Sequence, residues 1–386
     1  MDSYPVRLTL TALGPIADAD VTFGDLTVFV GPQATGKSIL LQLLKLLLDR
    51  RSIHVEMQRF GLEWSRNAEE FLQLYFGEGM SRLWRPDRSA VAKDGTRIEL
   101  DYLARSYRSQ VPPDESLFYI PAQRVMSVRD GLTRPFSEYR AGDPFVLRAF
   151  SEKLHQLIQT DFATPGGLFP KRNRLNETLR QPLVDHVFGG FELRTEVAQM
   201  QRRIVLEGEK GIVLPYLVWS AGQREFVPLL LGFYHLLPPA KISRRDKLEW
   251  VVIEEPEMGL HPNAITAVLT VVMELRSRGY RICLSTHSPH VLDLMWALHF
   301  IQGNNGTIAD ILKLLGLRRT NPSKKLAQAA LESELRVYYF SRNSTVNDIS
   351  QLDPGSDEDA EREWGGLTTF SGIAGEVVAD VAERRA

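Results

Sequence analysis

The sequence predicts an α/β fold organised on a parallel sheet, and two observations predict it. An apolar strand at residues 26–30 runs into Gly31-Pro32-Gln33-Ala34-Thr35-Gly36-Lys37-Ser38, and an apolar helix follows at 39–48. Far downstream, helix and strand alternate: helix 223–236, strand 250–253, helix 263–278, strand 281–285 and helix 289–296. Strands separated by helices of that length cannot pair as tight hairpins, so they imply a parallel sheet covered on both faces. Strand 26–30 belongs in that sheet, which makes the intervening segment an insertion.

In chain order, residues 6–10 and 20–23 read as short strands joined by a turn at Gly14-Pro15, an antiparallel pair beside strand 26–30. Residues 68–76 read as a helix, and 90–100, broken at Asp94-Gly95, as a hairpin. A short apolar strand at 116–120 ends in Pro121-Ala122-Gln123-Arg124. Asp143-Pro144 offers an N-cap followed by proline at the first helical position, for a helix running to about residue 161. Pro165-Gly166-Gly167 reads as a loop, and 175–188 as a helix closed by Gly189-Gly190. Strands are expected at 191–196, 202–207 and 212–218, with a hairpin turn at 208–211. After the alternating region come two apolar runs, 335–340 and 345–352, then the acid-rich stretch 353–363, read as a solvated linker before a last helix. No repeat at a solenoid period is visible.

At 386 residues the chain can bury a large core, as one large or two ordinary domains. Charged residues are 24% and apolar residues 44%, the balance of a globular protein in water. The net charge of −2 argues neither for nor against nucleic acid, because a local basic face can hide in a neutral total. A single cysteine, Cys283, excludes an internal disulfide, and without a Cys/His cluster no structural zinc is expected. Its apolar neighbours Ile282 and Leu284 point to a buried, unreactive thiol. Met1-Asp2-Ser3-Tyr4-Pro5 lacks a basic or apolar leader region, and no apolar run near the glycine-rich turn can span a bilayer. The expectation is a cytoplasmic protein with no membrane partner.

The chemistry begins at the glycine-rich turn. Gly31, four residues, then Gly36-Lys37-Ser38 between a strand and a helix leaves backbone N–H groups pointing into one concavity at the positive end of a helix dipole. Such a nest, with Gln33 and Ile39 beside it, suits a polyphosphate. Lys37 would reach the β and γ phosphates, and the Ser38 hydroxyl would be one ligand of the bridging Mg²⁺. Strand 250–253 ends in Glu254-Glu255-Pro256-Glu257. Beside such a turn the first carboxylate can hold Mg²⁺, directly or through water, and the second can orient and deprotonate the attacking water. Ser220-Ala221-Gly222-Gln223 opens a helix and forms a further anion site.

The order of these stretches, completed by Ser285-Thr286-His287, is similar to the head domain of ABC ATPases. Thirty-two residues separate Gly222 from Glu254, and 32 separate Glu255 from His287. In Tyr119-Ile120-Pro121-Ala122-x-Arg124, in the run 253–262 ending Gly259-Leu260-His261-Pro262, and in its strand-rich end, the chain resembles the OLD-class, SMC-related branch, many members of which serve in bacterial phage-defence modules. Two departures are visible: Glu254 stands where most ABC proteins carry Asp, and Gln33 replaces the usual Asn.

The resemblance implies an ABC-ATPase head, with a P-loop core sheet and an antiparallel β subdomain, interrupted by a mixed helical and strand insertion. The corresponding domains are 1–50 and 211–352 for the head, 51–210 for the insertion with a Q-loop near 119–124, and 353–386 for the acidic linker and last helix. It further implies that His287 contacts the γ-phosphate, that Gln123 senses Mg²⁺ and water, and that Ser220 and Gly222 of one copy complete the pocket of another. ATP would then join heads into a homodimer or higher homo-oligomer, and hydrolysis would release them. Three functions compete: a defence ATPase gating a separate effector protein, an SMC-like DNA-binding or repair ATPase, and the nucleotide-binding subunit of a transporter. Asp357-Glu358-Asp359 lies in a polar stretch and makes no credible nuclease centre, which favours the first. The gap between P-loop and Ser220 lacks sustained heptads and is long for a transporter subunit. Basic clusters at 171–174, 241–247 and 318–319 keep DNA as a possible partner, though each reads first as a solvated face.

Overall fold

The computed structural model describes residues 6–383 apart from 65, 66, 110, 112, 165, 172, 199, 240–243, 246, 354 and 359. Residues 1–5, Pro165, Arg172, Lys241 and Asp359, which entered the reading above, lie outside the described residues. The chain opens with a hairpin, β1 (Arg7–Leu13) and β2 (Ile16–Thr22), turning at Gly14-Pro15. β3 (Leu26–Val30) then delivers the glycine-rich turn to α1 (Lys37–Arg59). Next come α2 (Ala68–Phe76), the short hairpin β4 (Ala90–Lys93) and β5 (Thr96–Arg97), α3 (Leu100–Ala104) and β6 (Leu117–Ile120). A two-stranded ribbon, β7 (Val128–Arg129) and β8 (Leu132–Thr133), precedes α4 (Phe145–Thr160). β9 (Gly166–Phe169), α5 (Glu177–Leu183), β10 (Glu192–Ala198), β11 (Gln201–Glu207) and β12 (Val213–Leu214) follow. The second half runs α6 (Ala221–Leu236), β13 (Trp250–Glu254), α7 (Pro262–Ser277), β14 (Arg281–Thr286) and α8 (Pro289–Gly303). It ends with α9 (Ile308–Leu314), α10 (Asn321–Glu332), β15 (Leu335–Phe340), β16 (Val346–Asp348), α11 (Glu363–Gly366) and α12 (Thr369–Glu383).

The central sheet has the order β16-β15-β3-β14-β13-β6, parallel except for β16. Apart from the edge strand β16, its strands are buried on both faces, and their side chains alternate between two apolar cores. Val28 and Val30, Val251 and Ile253, and Ile282 and Leu284 face the core formed with α6, α7 and α8. Phe29, Val252 and Cys283 face the core formed with α1 and the N-terminal hairpin. Cys283 is fully buried, and burial raises its thiol pKa well above the ordinary range. Parallel strands that start together end together: Val30 pairs with Thr286, Glu254 with Ser285, and Ile253 with Ile120. The segments that follow β3, β13, β14 and β6 therefore emerge along one edge.

The N-terminal hairpin is the antiparallel pair expected, and it lies in a sheet of its own, β2-β1-β4-β5. Several expectations are corrected. Helix α1 runs to Arg59 instead of residue 48, past a kink at Asp49 (φ −119°, ψ 20°). There the carboxylate accepts from the Ser116 and Leu117 N–H groups (2.8 and 2.9 Å) and from Lys45 Nζ (2.7 Å), tying α1 to β6. Asp143 does not cap α4; Pro144 holds the cap position, and Asp143 accepts from the Arg140 N–H at 2.8 Å. Gly166 and Gly167 belong to β9, which pairs with β10. Of the strand expected at 212–218 only β12 forms, because the chain turns at Pro215 into a 3-10 turn over Tyr216–Val218. The turn at 208–211 does join β11 to β12. Helices α9 and α10 lie where no element was expected. In the acid-rich tail Glu361 is buried and accepts from the Asp353 N–H, and the buried Trp364 donates to Asp293, so this stretch is not wholly solvated. Among the basic clusters, Arg174 is buried on Asp161 and the Tyr234 carbonyl, and Arg244 and Arg245 bond the carbonyls of Gly279 and His235, while Arg318 and Arg319 are exposed.

Candidate active site

A cavity of about 300 Å³ opens at the end of β3, lined by Pro15, Gln33 to Ile39, Glu255, Ser285 and His287. Two glycines make the turn possible. A Cβ on Gly31 (φ +139°) would stand 2.2 Å from the Phe340 carbonyl oxygen, and one on Gly36 (φ +103°) 2.6 Å from Ile16. The turn is thus wedged between β15 and the N-terminal hairpin. Gly36 occupies the N-cap of α1, no side chain caps this helix end, and no acid lies in its first turn. The positive end of a 23-residue helix therefore faces the cavity. Thr35 steadies the loop by donating to the Pro32 carbonyl at 2.9 Å.

Lys37 is buried and donates to the carbonyls of Gly31 (2.8 Å) and Pro32 (2.7 Å). Burial lowers its pKa to about 8, against the pull of Glu255, Glu254 and Glu257. The two carboxylates after β13 are set apart by environment, which is how a pair of like groups takes different roles. Glu254 is 1% exposed, and its Oε2 accepts the Ala122 N–H at 3.2 Å. Burial raises its pKa, opposed by Ser38, Ala122 and Tyr119 around it. Glu255 sits in a left-handed backbone (φ +45°), its N–H bonded to the Ser285 carbonyl at 2.9 Å. Its Oε1 lies 3.5 Å from His287 Nε2, and that hydrogen bond holds the carboxyl below its usual pKa in spite of burial.

The fit of a Mg²⁺ ion can be tested on these residues. Glu254 Oε1 is buried without a hydrogen-bond partner among the described residues, and Ser38 stands beside the same carboxylate. A hard cation takes oxygen ligands of this kind, one carboxylate and one hydroxyl, together with phosphate oxygens. No group of three or more His, Cys, Asp and Glu side chains suited to a metal occurs among the described residues.

Other expected residues stand elsewhere. Gln123 is exposed in the 3-10 segment after β6, and the contact to Glu254 comes instead from the N–H of its neighbour Ala122. Ser220 is exposed at the N-cap of α6 in a reciprocal capping box: the Gln223 N–H donates to its hydroxyl (3.2 Å), and its own N–H donates to Gln223 Oε1 (3.0 Å). The Gln223 amide is therefore turned back on its own helix rather than outward. Among the described residues, neither Ser220 nor Gly222 nor Gln223 lines the P-loop cavity.

Two further residues belong to the site and were not singled out from the sequence. Glu257 Oε1 accepts from the Thr286 hydroxyl (2.7 Å) and the His287 N–H (2.8 Å), fixing the segment that carries His287. Arg124, fully buried, donates to the carbonyls of Glu225, Glu254 and Glu255. The signal for both was present: Glu257 continues the acidic run after β13, and Arg124 is a charged residue inside an otherwise apolar segment.

Residues 82–293, more than half of the chain, match the AAA_21 family model, described as "AAA domain, putative AbiEii toxin, Type IV TA system". The chain belongs to the AAA_21 family. The matched residues carry the helix opened by Ser220, the carboxylate pair and His287. A stretch of 62 residues is 42% identical to the Old nuclease of Escherichia phage P2, covering 15% of this chain and 11% of that protein. Among solved structures, an SMC head bound to the C-winged helix domain of ScpA aligns over 90% of this chain and 97% of its own, at 11% identity and a TM-score of 0.40. A dimeric bacterial ABC transporter cassette aligns over 88% and 95%, at 12% identity and a TM-score of 0.36. As an AAA_21 member the chain carries an AAA domain, and over one short stretch it is similar to the Old nuclease. No helix among the described residues is long and apolar enough to cross a membrane.

Proposed function

We propose that this chain binds and hydrolyses ATP as one of a pair of heads, and that pairing gates a separate effector protein in bacterial anti-phage defence. The observation that carries the reading is the division of the phosphate-binding features. Lys37, Ser38, Glu254, Glu255 and His287 gather at one sheet edge, whereas the exposed turn at Ser220 lies outside that cavity. A second copy offering its own Ser220 and Gly222 would close the pocket over the terminal phosphate.

In this reading Lys37 leaves the Gly31 and Pro32 carbonyls for the β and γ phosphates, and the first-turn N–H groups of α1 hold the remaining oxygens. Ser38 and Glu254 would hold a Mg²⁺ ion, whose charge offsets that of the phosphates. Glu255 orients a water molecule and takes its proton as the oxygen attacks the γ-phosphorus. The bond to the β–γ bridging oxygen breaks, leaving ADP and phosphate. His287, its backbone braced by Glu257, positions the Glu255 carboxylate in the free chain and turns its N–H to the γ-phosphate once nucleotide is bound. The defence role is carried over from the resemblance to the OLD-class branch, and the short match to the Old nuclease is what supports that resemblance. The cytoplasm is the compartment this reading calls for.

Binding of a fluorescent ATP analogue tests the site. Lys37→Ala should abolish it, and unchanged affinity would show that the P-loop does not hold the nucleotide. Loss of phage protection by the same variant, in cells that also carry the effector, tests the biological role; full protection would refute it.

A further inference from the structure

Arg124 is the largest charged side chain shut wholly inside this site, and among the described residues no carboxylate bonds it directly. It leaves β6 on the 3-10 segment Ala122–Ser127 and is 0% exposed. Its guanidinium spends its donors on three backbone carbonyls: Nε to Glu225 (3.2 Å), Nη1 to Glu254 (2.8 Å) and Nη2 to Glu255 (2.9 Å). A buried cation carries a desolvation cost of several kcal/mol. Here the carboxylates of Glu225, Glu257, Glu255 and Glu254 offset part of that cost, and burial still lowers its pKa. A planar fork fixes the relative position of its acceptors in a way that a lysine on a flexible stem cannot.

The acceptors lie on two different parts of the site. Glu225 is in the second turn of α6, the helix opened by Ser220, while Glu254 ends β13 and Glu255 follows it. A second contact joins the same two parts: Gly222 and Gly259 pack backbone to backbone, so that a Cβ on Gly222 would stand 2.6 Å from the Gly259 oxygen. Glu255 is also held in a backbone region that non-glycine residues seldom adopt, with its N–H on Ser285 and its carbonyl on Arg124. A displacement of the first turns of α6 therefore reaches the Glu255 segment by two routes, through the planar Arg124 guanidinium and through the backbone contact of Gly222 with Gly259.

We propose that Arg124 is a positioning residue that couples the two ATP sites of a paired assembly. The proposal rests on the pairing reading above. A phosphate from the second copy, seated on Ser220, sets α6; through Arg124, α6 sets Glu255, which serves the nucleotide on this chain's own P-loop. Each chain thereby links the site it completes in its partner to the site it owns, and the two sites hydrolyse together.

The test compares steady-state ATP hydrolysis as a function of ATP concentration for the full chain, Arg124→Lys and Arg124→Gln. It adds ATP-analogue binding and the solution mass of Glu255→Gln in each background. The unaltered chain should give a sigmoidal curve with a Hill coefficient approaching about 2, the number of coupled sites. Arg124→Lys, which keeps the charge but not the fork, should lower kcat about tenfold and bring the coefficient to about 1, with affinity for the analogue within about twofold. Glu255→Gln/Arg124→Lys should still pair with ATP. Arg124→Lys with kcat and Hill coefficient unchanged would overturn the coupling while leaving pairing intact. A hyperbolic curve for the unaltered chain would do the same. Glu255→Gln that stays single with ATP would overturn pairing and, with it, the coupling. Should Arg124→Gln fail to fold, Arg124→Lys with an unaltered melting temperature carries the comparison alone.

Discussion

Gly222→Ala probes how the helix opened by Ser220 is fastened to the carboxylate strand. A Cβ there would stand 2.6 Å from the Gly259 carbonyl oxygen and 3.7 Å from Leu260 Cδ2. Relief to 3.4 Å, an ordinary van der Waals contact, needs the two backbones to part by roughly 0.8 Å. Both sides of the contact are backbone, so no flexible side chain can absorb the shift. Overpacking of this kind costs about 1–3 kcal/mol, and replacing glycine by alanine within a helix returns up to about 1 kcal/mol. The net loss of about 0–2 kcal/mol should leave the chain folded, with a melting temperature lower by no more than a few degrees. Function should suffer more than stability. A displaced α6 turn no longer presents Ser220 correctly, and the Glu255 segment moves with Gly259. We expect kcat for phosphate release to fall about tenfold or more, equivalent to about 1.4 kcal/mol of transition-state stabilisation. Gly222 does not line the P-loop cavity, so affinity for ATP should stay within about twofold of the unaltered chain. An unchanged kcat would refute the reasoning. Lost ATP affinity would show that Gly222 acts on its own chain's nucleotide.

Glu257→Ala removes the acceptor shared by the Thr286 hydroxyl and the His287 N–H, each of which then costs about 1–3 kcal/mol if left unpaired. Its kcat should fall about 10–100-fold, and Glu257→Gln, which still offers an oxygen, should recover much of it; equal activity in the two variants would contradict a positioning role. The pH dependence of binding follows from Lys37. Burial brings its pKa down to about 8 in the free protein, and bound phosphate needs its charged form. ATP affinity should therefore be flat below that pH and weaken above it, by up to about tenfold per pH unit, as binding must take up a proton. An affinity that stays constant well into the alkaline range would show that the Lys37 charge does not contribute.

The edge on which the site stands was legible because it follows from strand order. Apolar runs at 26–30, 250–253 and 281–285, each feeding a polar segment, had to end side by side once the helices between them required a parallel sheet. β4 and β5 were visible at Asp94-Gly95, but their partner was not, since pairing with β1 is a contact between remote residues with no local signal. The 3-10 turn at Tyr216 was missed because a short apolar run is ambiguous, and Pro215 was the cue that broke it. α9 and α10 were missed where polar caps at Thr307 and Thr320 carried the information rather than long apolar stripes. Arg124 could be seen as a charge among apolar residues, yet its partners are backbone oxygens on α6 and β13, which no side-chain pattern marks. The Gln123 side chain stands at the surface for a related reason: the contact to Glu254 at that corner is made by a main-chain N–H.

The pairing of heads is tested most directly by the solution mass of Glu255→Gln, in which ATP should bind and persist unhydrolysed. Sedimentation or light scattering with ATP should show twice 43.7 kDa or a higher even multiple, and the single-chain mass once the nucleotide is removed. A variant that binds ATP and remains at the single-chain mass would contradict the account.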